Sequence, residues 1–183
     1  MWNWLVSGLL LKSTIYLYDG SPFYPNSEVL WNFVDNEKIN FMGVSAKYID
    51  ALSKENINII DTYKLKNLET IGSTGSPLIH ESFDYIYANI KKDVSVASLS
   101  GGTDIVGCFI GGNPMSVVRR GEIQGPILGM DVHVYDENGK SLKNEKGELV
   151  CIKSFPSMPL YFWNDNNNKK YHEAYFNKYE NVW

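Results

Sequence analysis

The chain has little of the chemistry that marks metal sites, disulfide scaffolds and nucleic-acid binding. It contains only two cysteines and three histidines in 183 residues. Cys108 and Cys151 form no C-x-x-C pair and the histidines are far apart in sequence, so we expect neither structural zinc nor a disulfide framework. With 17 Lys and Arg against 21 Asp and Glu, the net charge is −4. This balance gives no basic surface for nucleic acid or an anionic membrane, and we expect neither partner.

Long hydrophobic runs are also missing. The longest apolar stretch, from Trp2 to Leu11, is much shorter than the roughly 20 residues of a membrane span. It lacks the basic start and the small-residue cleavage site of a signal peptide. We therefore predict a buried helix there. No N-x-[ST] sequon occurs, which agrees with the cytoplasmic location that we expect.

The first half of the chain alternates between helical and strand patterns. β-Branched and aromatic runs predict strands, and apolar residues at helical spacing predict helices. The alternation favours an α/β fold with a mostly parallel, doubly wound sheet. The predicted strands are 14–18, 40–44, 68–73 and 94–99, and the predicted helices are 2–12, one capped by Ser27, 46–52, and one opened by Pro77 and carrying Ile79, Phe83, Ile86, Tyr87 and Ile90.

The second half of the chain has a different residue pattern from the first. Glycine is dense from Gly101 to Gly129, and two strand patterns follow at 130–135 and 148–153, which indicate a β-hairpin or part of a small β-barrel. A short helix pattern covers 171–176. We predict an α/β subdomain over 1–112 and part of a β-barrel subdomain over 113–183.

Both ends of the chain are apolar. It begins within the pattern of a hydrophobic helix and stops at Val182 and Trp183, where a natural terminus is usually polar. We therefore expect the chain to be an internal piece of a longer protein.

Two predicted strands lead into loops of glycine and hydroxyl residues. The first loop, Gly72–Pro77, joins a strand to a helix start, which is where sheets of this class bind ligands. Its glycines let the backbone approach a ligand, and free N–H groups at a helix start favour anions. The alternative is a tight turn in which Ser76 caps the helix.

The second loop, Ser98–Asp104, places two glycines before a hydroxyl and a carboxylate. Such an order suits a nucleotide phosphate with its magnesium, because Thr103 can donate to phosphate and Asp104 offers a hard oxygen ligand. It is not a Walker A loop, since Cys108-Phe109 stands where Lys-Ser/Thr is required, and no G-x-G-x-x-G occurs.

Several stretches together resemble the acetoacetyl-CoA synthetases, a family within the adenylate-forming acyl-CoA synthetase and luciferase superfamily. The resemblance runs in the same order along essentially the whole chain. It is carried by Met1–Ser7, Tyr18–Pro22, Ser45–Asp50, Ser73–Pro77, Ser100–Val106 and Phe155–Leu160.

The resemblance implies a ligase that uses ATP and Mg²⁺ to convert acetoacetate to an acyl-adenylate, then passes the acyl group to coenzyme A. It implies that Gly75, Ser76 and Pro77 hold adenine, that Thr103 contacts phosphate and that Asp104 carries the magnesium carboxylate. The remaining nucleotide-binding residues that it implies are Ser98, Leu99, Ser100, Gly101 and Gly102.

This sequence departs from the superfamily signature, aromatic-Gly-x-Thr-Glu, at two positions. Ser100 replaces the aromatic residue and removes stacking area beside adenine, and Asp104 replaces Glu with a shorter arm. Relatives specific for acetate resemble this chain but have tryptophan where Gly101 stands, so glycine is expected to leave a deeper acyl pocket. Ser45, Ala46 and Lys47 are candidates to line it, with Ser45 or Lys47 donating to the keto oxygen. A capping serine and a solvated lysine are the alternative.

The resemblance also implies that parts of the family's site lie outside these residues, namely an upstream phosphate loop, an aspartate beyond Trp183 and a C-terminal domain with a catalytic lysine. Adenylation brings anions together and depends on prearranged positive charge, so we expect the 183 residues alone to be inactive. Two other functions remain open: a ligase for another short-chain acid, and a truncated, non-catalytic nucleotide-binding module.

Overall fold

The computed structural model describes residues 2–183, with side chains described from residue 6 onward. Met1 and the side chains of residues 2–5, which carry part of the resemblance, lie outside the described part. The helices are α1 (Trp2–Leu10), α2 (Val29–Asn36), α3 (Ala46–Lys54), α4 (Ile59–Thr62), α5 (His80–Tyr85), which continues as a π-helix (Ile86–Ile90), and α6 (Lys169–Tyr175), which follows a 3₁₀ turn (Asn166–Asn168). The strands are β1 (Phe41–Ser45), β2 (Thr70–Thr74), β3 (Ser95–Ser98), β4 (Ser100–Gly102), β5 (Gly107–Gly111), β6 (Gly125–Pro126), β7 (Val132–Tyr135) and β8 (Glu148–Cys151).

These elements form two compact units. The sheet unit comprises residues 12–100 and 111–125, and the second unit comprises residues 2–11, 101–110 and 126–183. The division predicted from the sequence, after residue 112, stays a prediction.

The sheet unit is built on parallel strands in the order β1-β2-β3. A core of side chains that are at most 1% exposed covers this sheet, and each contributes about 1.5–3 kcal/mol by leaving water. Its largest members are Trp31, Phe83, Ile49, Leu52 and Ile71. Three of the four predicted strands are present, so the mixed α/β class with a parallel sheet is confirmed.

The second unit contains the antiparallel pair β7-β8, in which Val132 faces Cys151 and Tyr135 faces Glu148. A small core of Ile105, Cys151 and Phe155 lies in the same unit. Strands β4, β5 and β6 form a separate three-stranded sheet. The described residues therefore include the predicted hairpin strands, but no closed barrel forms among them.

Two predictions for the first 20 residues are wrong. The helix α1 is present, but Val6, Leu9, Leu10 and Leu11 are 61–83% exposed, so it is not buried. No described element covers these side chains. Residues 14–18 form no strand, because no neighbouring strand pairs with them, and the ring of Tyr16 instead packs edge-on against Phe33 at 5.6 Å.

Two predicted helix starts are also shifted. Ser27 does not cap α2, which begins after Glu28, because its hydroxyl donates to the carboxylate of Glu55. Pro77 does not open α5, since buried Leu78 first anchors an extended stretch and the helix begins at His80. Ile79, predicted within this helix, precedes its first residue and is 51% exposed.

Two buried polar side chains tie the sheet unit together. The ammonium of Lys91, which is 9% exposed, donates to the carbonyl of Leu68 at 2.6 Å. The hydroxyl of Tyr85 donates to the carbonyl of Ile57, also at 2.6 Å. Each bond gives a backbone carbonyl of another segment a side-chain donor.

Over residues 2–183, none of the helices has the length and apolar character needed to cross a membrane.

Candidate functional site

The parallel strands of the sheet unit end at a common edge, as strands of this kind must. In the register of the sheet, Ser45 lies opposite Thr74, and Ser73 lies opposite Ser98. The loops that follow β1, β2 and β3 therefore leave the sheet side by side. This edge brings together the candidates that the sequence predicted at Ser45–Lys47, Gly75–Pro77 and Ser98–Leu99.

At the end of β1, Ser45 caps α3. Its Oγ accepts a hydrogen bond from the backbone N–H of Tyr48 at 3.1 Å. The cap uses a lone pair of the oxygen and leaves the hydroxyl hydrogen available to donate. Ala46 is buried in the core, whereas Lys47 is exposed. The alternative foreseen for Ser45, a capping serine, is thus present without removing its capacity as a donor.

The loop after β2 has the open backbone that a flat ligand needs. Gly75 has a φ of +88°, a conformation that side chains rarely adopt, and nothing lies within 4 Å of the place where a Cβ would stand. Pro77 is exposed, and Leu78, only 4% exposed, anchors the loop to the core. The chain is therefore fixed just beyond the open glycine.

Hydrogen bonds join the loops after β2 and β3. The backbone N–H of Leu99 donates to the carbonyl of Ser73 at 2.9 Å. The carbonyl of Leu99 accepts from Thr74 Oγ1 at 3.3 Å. Ser98 and Leu99 are thereby held beside the Gly75 loop rather than free in solvent.

Ser73 belongs to the first predicted loop, Gly72–Pro77, but the sequence did not single it out as a site residue. Its side chain is fully buried, and its Oγ has no hydrogen-bond partner among the described residues. A buried hydroxyl without a partner costs about 1–3 kcal/mol. Its position in a run of hydroxyl residues was the only signal in the sequence.

The second unit contains the Gly-Gly-Thr-Asp motif, and each of its glycines has a close neighbour, which for Gly101 is backbone and for Gly102 is the exposed side chain of Asp104. A Cβ on Gly101 would overlap the carbonyl oxygen of Gly107 and the Cα of Cys108, and a Cβ on Gly102 would overlap the carboxylate of Asp104. The sequence interpretation linked Gly101 to a deeper pocket. The structure adds a second reason for glycine, because the backbone of β5 occupies the space where a side chain would begin.

Thr103 and Asp104 lie in an exposed turn that a backbone hydrogen bond and the buried side chain of Ile105 hold in place. The carbonyl of Thr103 accepts from the N–H of Val106 at 3.3 Å, and Ile105, 1% exposed, anchors the turn in the small core. The carboxylate Oδ2 of Asp104 accepts a hydrogen bond from the hydroxyl of Tyr175 at 2.6 Å. The motif therefore presents its carboxylate over glycine with one oxygen already engaged.

Tyr175, which the sequence did not single out, is fixed by aromatic contacts. Its ring stacks on Trp183 with centroids 3.7 Å apart and planes 15° apart. Burial, and then the hydrogen bond to the Asp104 carboxylate, raise the pKa of Tyr175 to about 12. The phenol therefore stays protonated at neutral pH and donates.

The residue types fit a magnesium ion that is held mainly by phosphate. Within residues 2–183, no group of three or more His, Cys, Asp or Glu side chains is arranged to hold a metal ion. Mg²⁺ is commonly bound through one or two carboxylates together with substrate phosphates and water, which one carboxylate such as Asp104 satisfies.

The parallel strands of the sheet unit end in hydroxyl and glycine loops, and the second unit contains a Thr-Asp turn. Both are features that the resemblance described above links to the adenylate-forming enzymes. No family model matches the chain. Over all 183 residues, however, it is 53% identical to an acetoacetyl-coenzyme A synthetase from Rhizobium meliloti (strain 1021) and 46% identical to the acetoacetyl-CoA synthetase of Gallus gallus. Among solved structures, acetoacetyl-CoA synthetase from Streptomyces lividans matches the whole chain with a TM-score of 0.87 at 40% identity.

The chain is thus homologous, along its full length, to one stretch of the acetoacetyl-CoA synthetases, and the resemblance drawn from the motifs is confirmed. It spans 28% of the length of the Rhizobium protein and 29% of that of the Streptomyces chain. The roles assigned to individual site residues stay predictions.

Proposed function

We propose that this chain is part of an acetoacetate–CoA ligase. Such an enzyme converts acetoacetate and ATP to acetoacetyl-adenylate and pyrophosphate, then transfers the acyl group to the thiol of coenzyme A with release of AMP. The observation that carries the proposal is the 53% identity to an acetoacetyl-coenzyme A synthetase over every residue of the chain. A cytoplasmic location belongs to the same proposal.

In this proposal the edge of the sheet holds the nucleotide and the acid. The open backbone at Gly75 admits adenine against the loop up to Pro77, with Ser98 and Leu99 beside it. The hydroxyl hydrogen of Ser45, which its capping bond leaves free, donates to the keto oxygen of acetoacetate. Lys47, exposed on the same turn, adds positive charge for the carboxylate.

The turn that contains Thr103 and Asp104 binds the phosphates and their metal ion in this proposal. Thr103 donates its hydroxyl to a phosphate oxygen, and Asp104 supplies the protein carboxylate for Mg²⁺. When bound, Mg²⁺ would offset the negative charge of the phosphates. Gly101 and Gly102 keep the turn free of side chains, so that the nucleotide can approach the backbone.

The chain alone covers less than a third of its relatives, and we propose that it is inactive by itself. Attack of a carboxylate on the α-phosphorus requires prearranged positive charge around both anions. Lys47 is the only lysine among the proposed site residues, so the chain supplies little of that charge.

The test uses the full-length protein that contains this segment. Exchange of labelled pyrophosphate into ATP is measured with acetoacetate, acetate, butyrate and 3-hydroxybutyrate in turn. We expect exchange to be fastest with acetoacetate, to fall at least about 100-fold in Asp104→Ala, and to persist in a control, Gly125→Ala, where nothing lies within 4 Å of the new methyl group.

The other two functions give different results in the same assay. Preference for another acid would replace acetoacetate as the substrate and keep the ligase mechanism. ATP binding without exchange for any acid would contradict the ligase proposal and favour a non-catalytic nucleotide-binding module.

A further inference from the structure

We propose that Tyr175 is a positioning residue, which holds the carboxylate of Asp104 in the orientation that receives the metal–nucleotide complex. The proposal rests on the function proposed above, in which Asp104 is the metal carboxylate. Its starting point is the 2.6 Å hydrogen bond from the Tyr175 hydroxyl to Asp104 Oδ2, between residues 71 positions apart in the chain.

The exposure of Asp104 gives such a bond a role. Packing does not select one rotamer of an exposed aspartate, whereas a hydrogen bond from a neighbour can. The bond from Tyr175 engages Oδ2, while Oδ1 lies above the bare Cα of Gly102. One oxygen is therefore fixed by the protein and the other is left to act as a ligand.

Tyr175 can act in this way because its ring is fixed in turn. It stacks on Trp183 at 3.7 Å and meets the ring of Phe162 edge-on at 5.5 Å. Trp183 exchanges two backbone hydrogen bonds with Cys151 of β8, of 2.9 and 3.2 Å, and its ring packs against Phe155. The orientation of the carboxylate is thus connected to the core of the second unit through Trp183.

Outer partners of metal ligands commonly change metal affinity by about 10- to 100-fold when removed. A tyrosine that donates to one carboxylate oxygen has the same geometry as such a partner. If Tyr175 merely filled space, loss of its hydroxyl alone would leave metal binding unchanged, since the stacked ring would remain.

The experiment uses the full-length protein with α,β-methylene-ATP and Mn²⁺, and follows bound Mn²⁺ by electron paramagnetic resonance. For Tyr175→Phe, which keeps the stacked ring, we expect the dissociation constant of Mn²⁺ in the nucleotide complex to rise about tenfold. Tyr171→Phe is the matched control. It loses a hydrogen bond of the same 2.6 Å length from the same helix, but to the carbonyl of Pro159, and should change the constant less than about twofold.

A double-mutant cycle separates positioning from general support of the fold. In an Asp104→Asn background, Tyr175→Phe should add little further loss of Mn²⁺ affinity, because the group that it positions is already gone. Additive losses would mean that Tyr175 acts independently of Asp104 and would overturn the proposal. So would unchanged or tighter Mn²⁺ binding in Tyr175→Phe alone, or absence of nucleotide-dependent Mn²⁺ binding in the unmodified protein.

Failure of the ligase proposal has a different signature. An unmodified protein that binds Mn²⁺ with nucleotide, loses that binding in Tyr175→Phe and yet activates no acid would leave the positioning role intact and remove the proposed reaction.

Discussion

At position 101, glycine is required by a neighbouring strand rather than by the backbone angles of a turn. No unusual backbone angle requires it, but the carbonyl of Gly107 and the Cα of Cys108 occupy the space where its side chain would begin. A larger side chain there would require the β5 backbone to move. The identity of residue 101 therefore bears on the path of a strand, and its effect on the size of an acyl pocket stays a prediction.

Gly101→Ala should destabilise the protein by about 1–3 kcal/mol, the usual cost of inserting a carbon into a filled space. The measurement is the midpoint of urea unfolding. Gly125→Ala is the control, since open space surrounds that position, and its stability should change by no more than about 0.5 kcal/mol. Equal midpoints for the two variants would mean that β5 does not pass over residue 101.

At the scale of elements, one hydrogen bond fastens α5 to the segment between α3 and α4. The phenol of Tyr85 is 7% exposed and donates to the carbonyl of Ile57. Burial, and then the charge of Glu55, raise the pKa of Tyr85 to about 12. Because the folded state favours the neutral phenol, its contribution to stability is complete below about pH 10 and is lost as the pH rises toward 12.

Tyr85→Phe should lower the free energy of unfolding by about 1 kcal/mol at pH 7, because the carbonyl of Ile57 loses its donor. The difference from the unmodified protein should shrink between about pH 10 and pH 12. Chemical unfolding at several pH values provides the measurement. Tyr24→Phe, at a tyrosine that is 77% exposed, is the control and should follow the unmodified protein throughout. A constant difference up to pH 12 would contradict the assigned pKa.

The pattern of the sequence predicted elements better than it predicted pairing. Strands at 68–73 and 94–99 were predicted within a few residues of β2 and β3, because each has apolar residues on its buried faces. Residues 14–18 have a similar composition and form no strand, since β-propensity does not specify a neighbour. The same limit applies to the site. Its loops follow from the alternation of strands and helices, whereas the contact of Tyr175 with Asp104 is a tertiary one that no local pattern encodes.

At the scale of the whole molecule, one exposed apolar surface of the described residues lies on α1 and the residue after it. Val6, Leu9, Leu10 and Leu11 are all largely exposed within one short segment, and contiguous apolar surface of this kind promotes association. The net charge of −4 over 183 residues offers only weak repulsion against it.

The 183-residue chain should therefore self-associate in a concentration-dependent way. Sedimentation velocity would show oligomers that the double variant Leu9→Lys and Leu10→Lys returns to monomer. Leu128→Lys is the control, because Leu128 is 98% exposed but lies far from α1 in sequence, and it should leave association unchanged. A chain that stays monomeric at all accessible concentrations would contradict this prediction.

The buried ammonium of Lys91 has a practical consequence for chemical footprinting. Its nitrogen is bonded to the carbonyl of Leu68 and its side chain is 11% exposed, whereas Lys54, a lysine of the same unit, is 74% exposed. An amine-reactive reagent should therefore label Lys54 in the native protein and reach Lys91 only when the sheet unit opens. The ratio of labelled Lys91 peptide to labelled Lys54 peptide, measured by mass spectrometry, then reports the opening of the sheet unit.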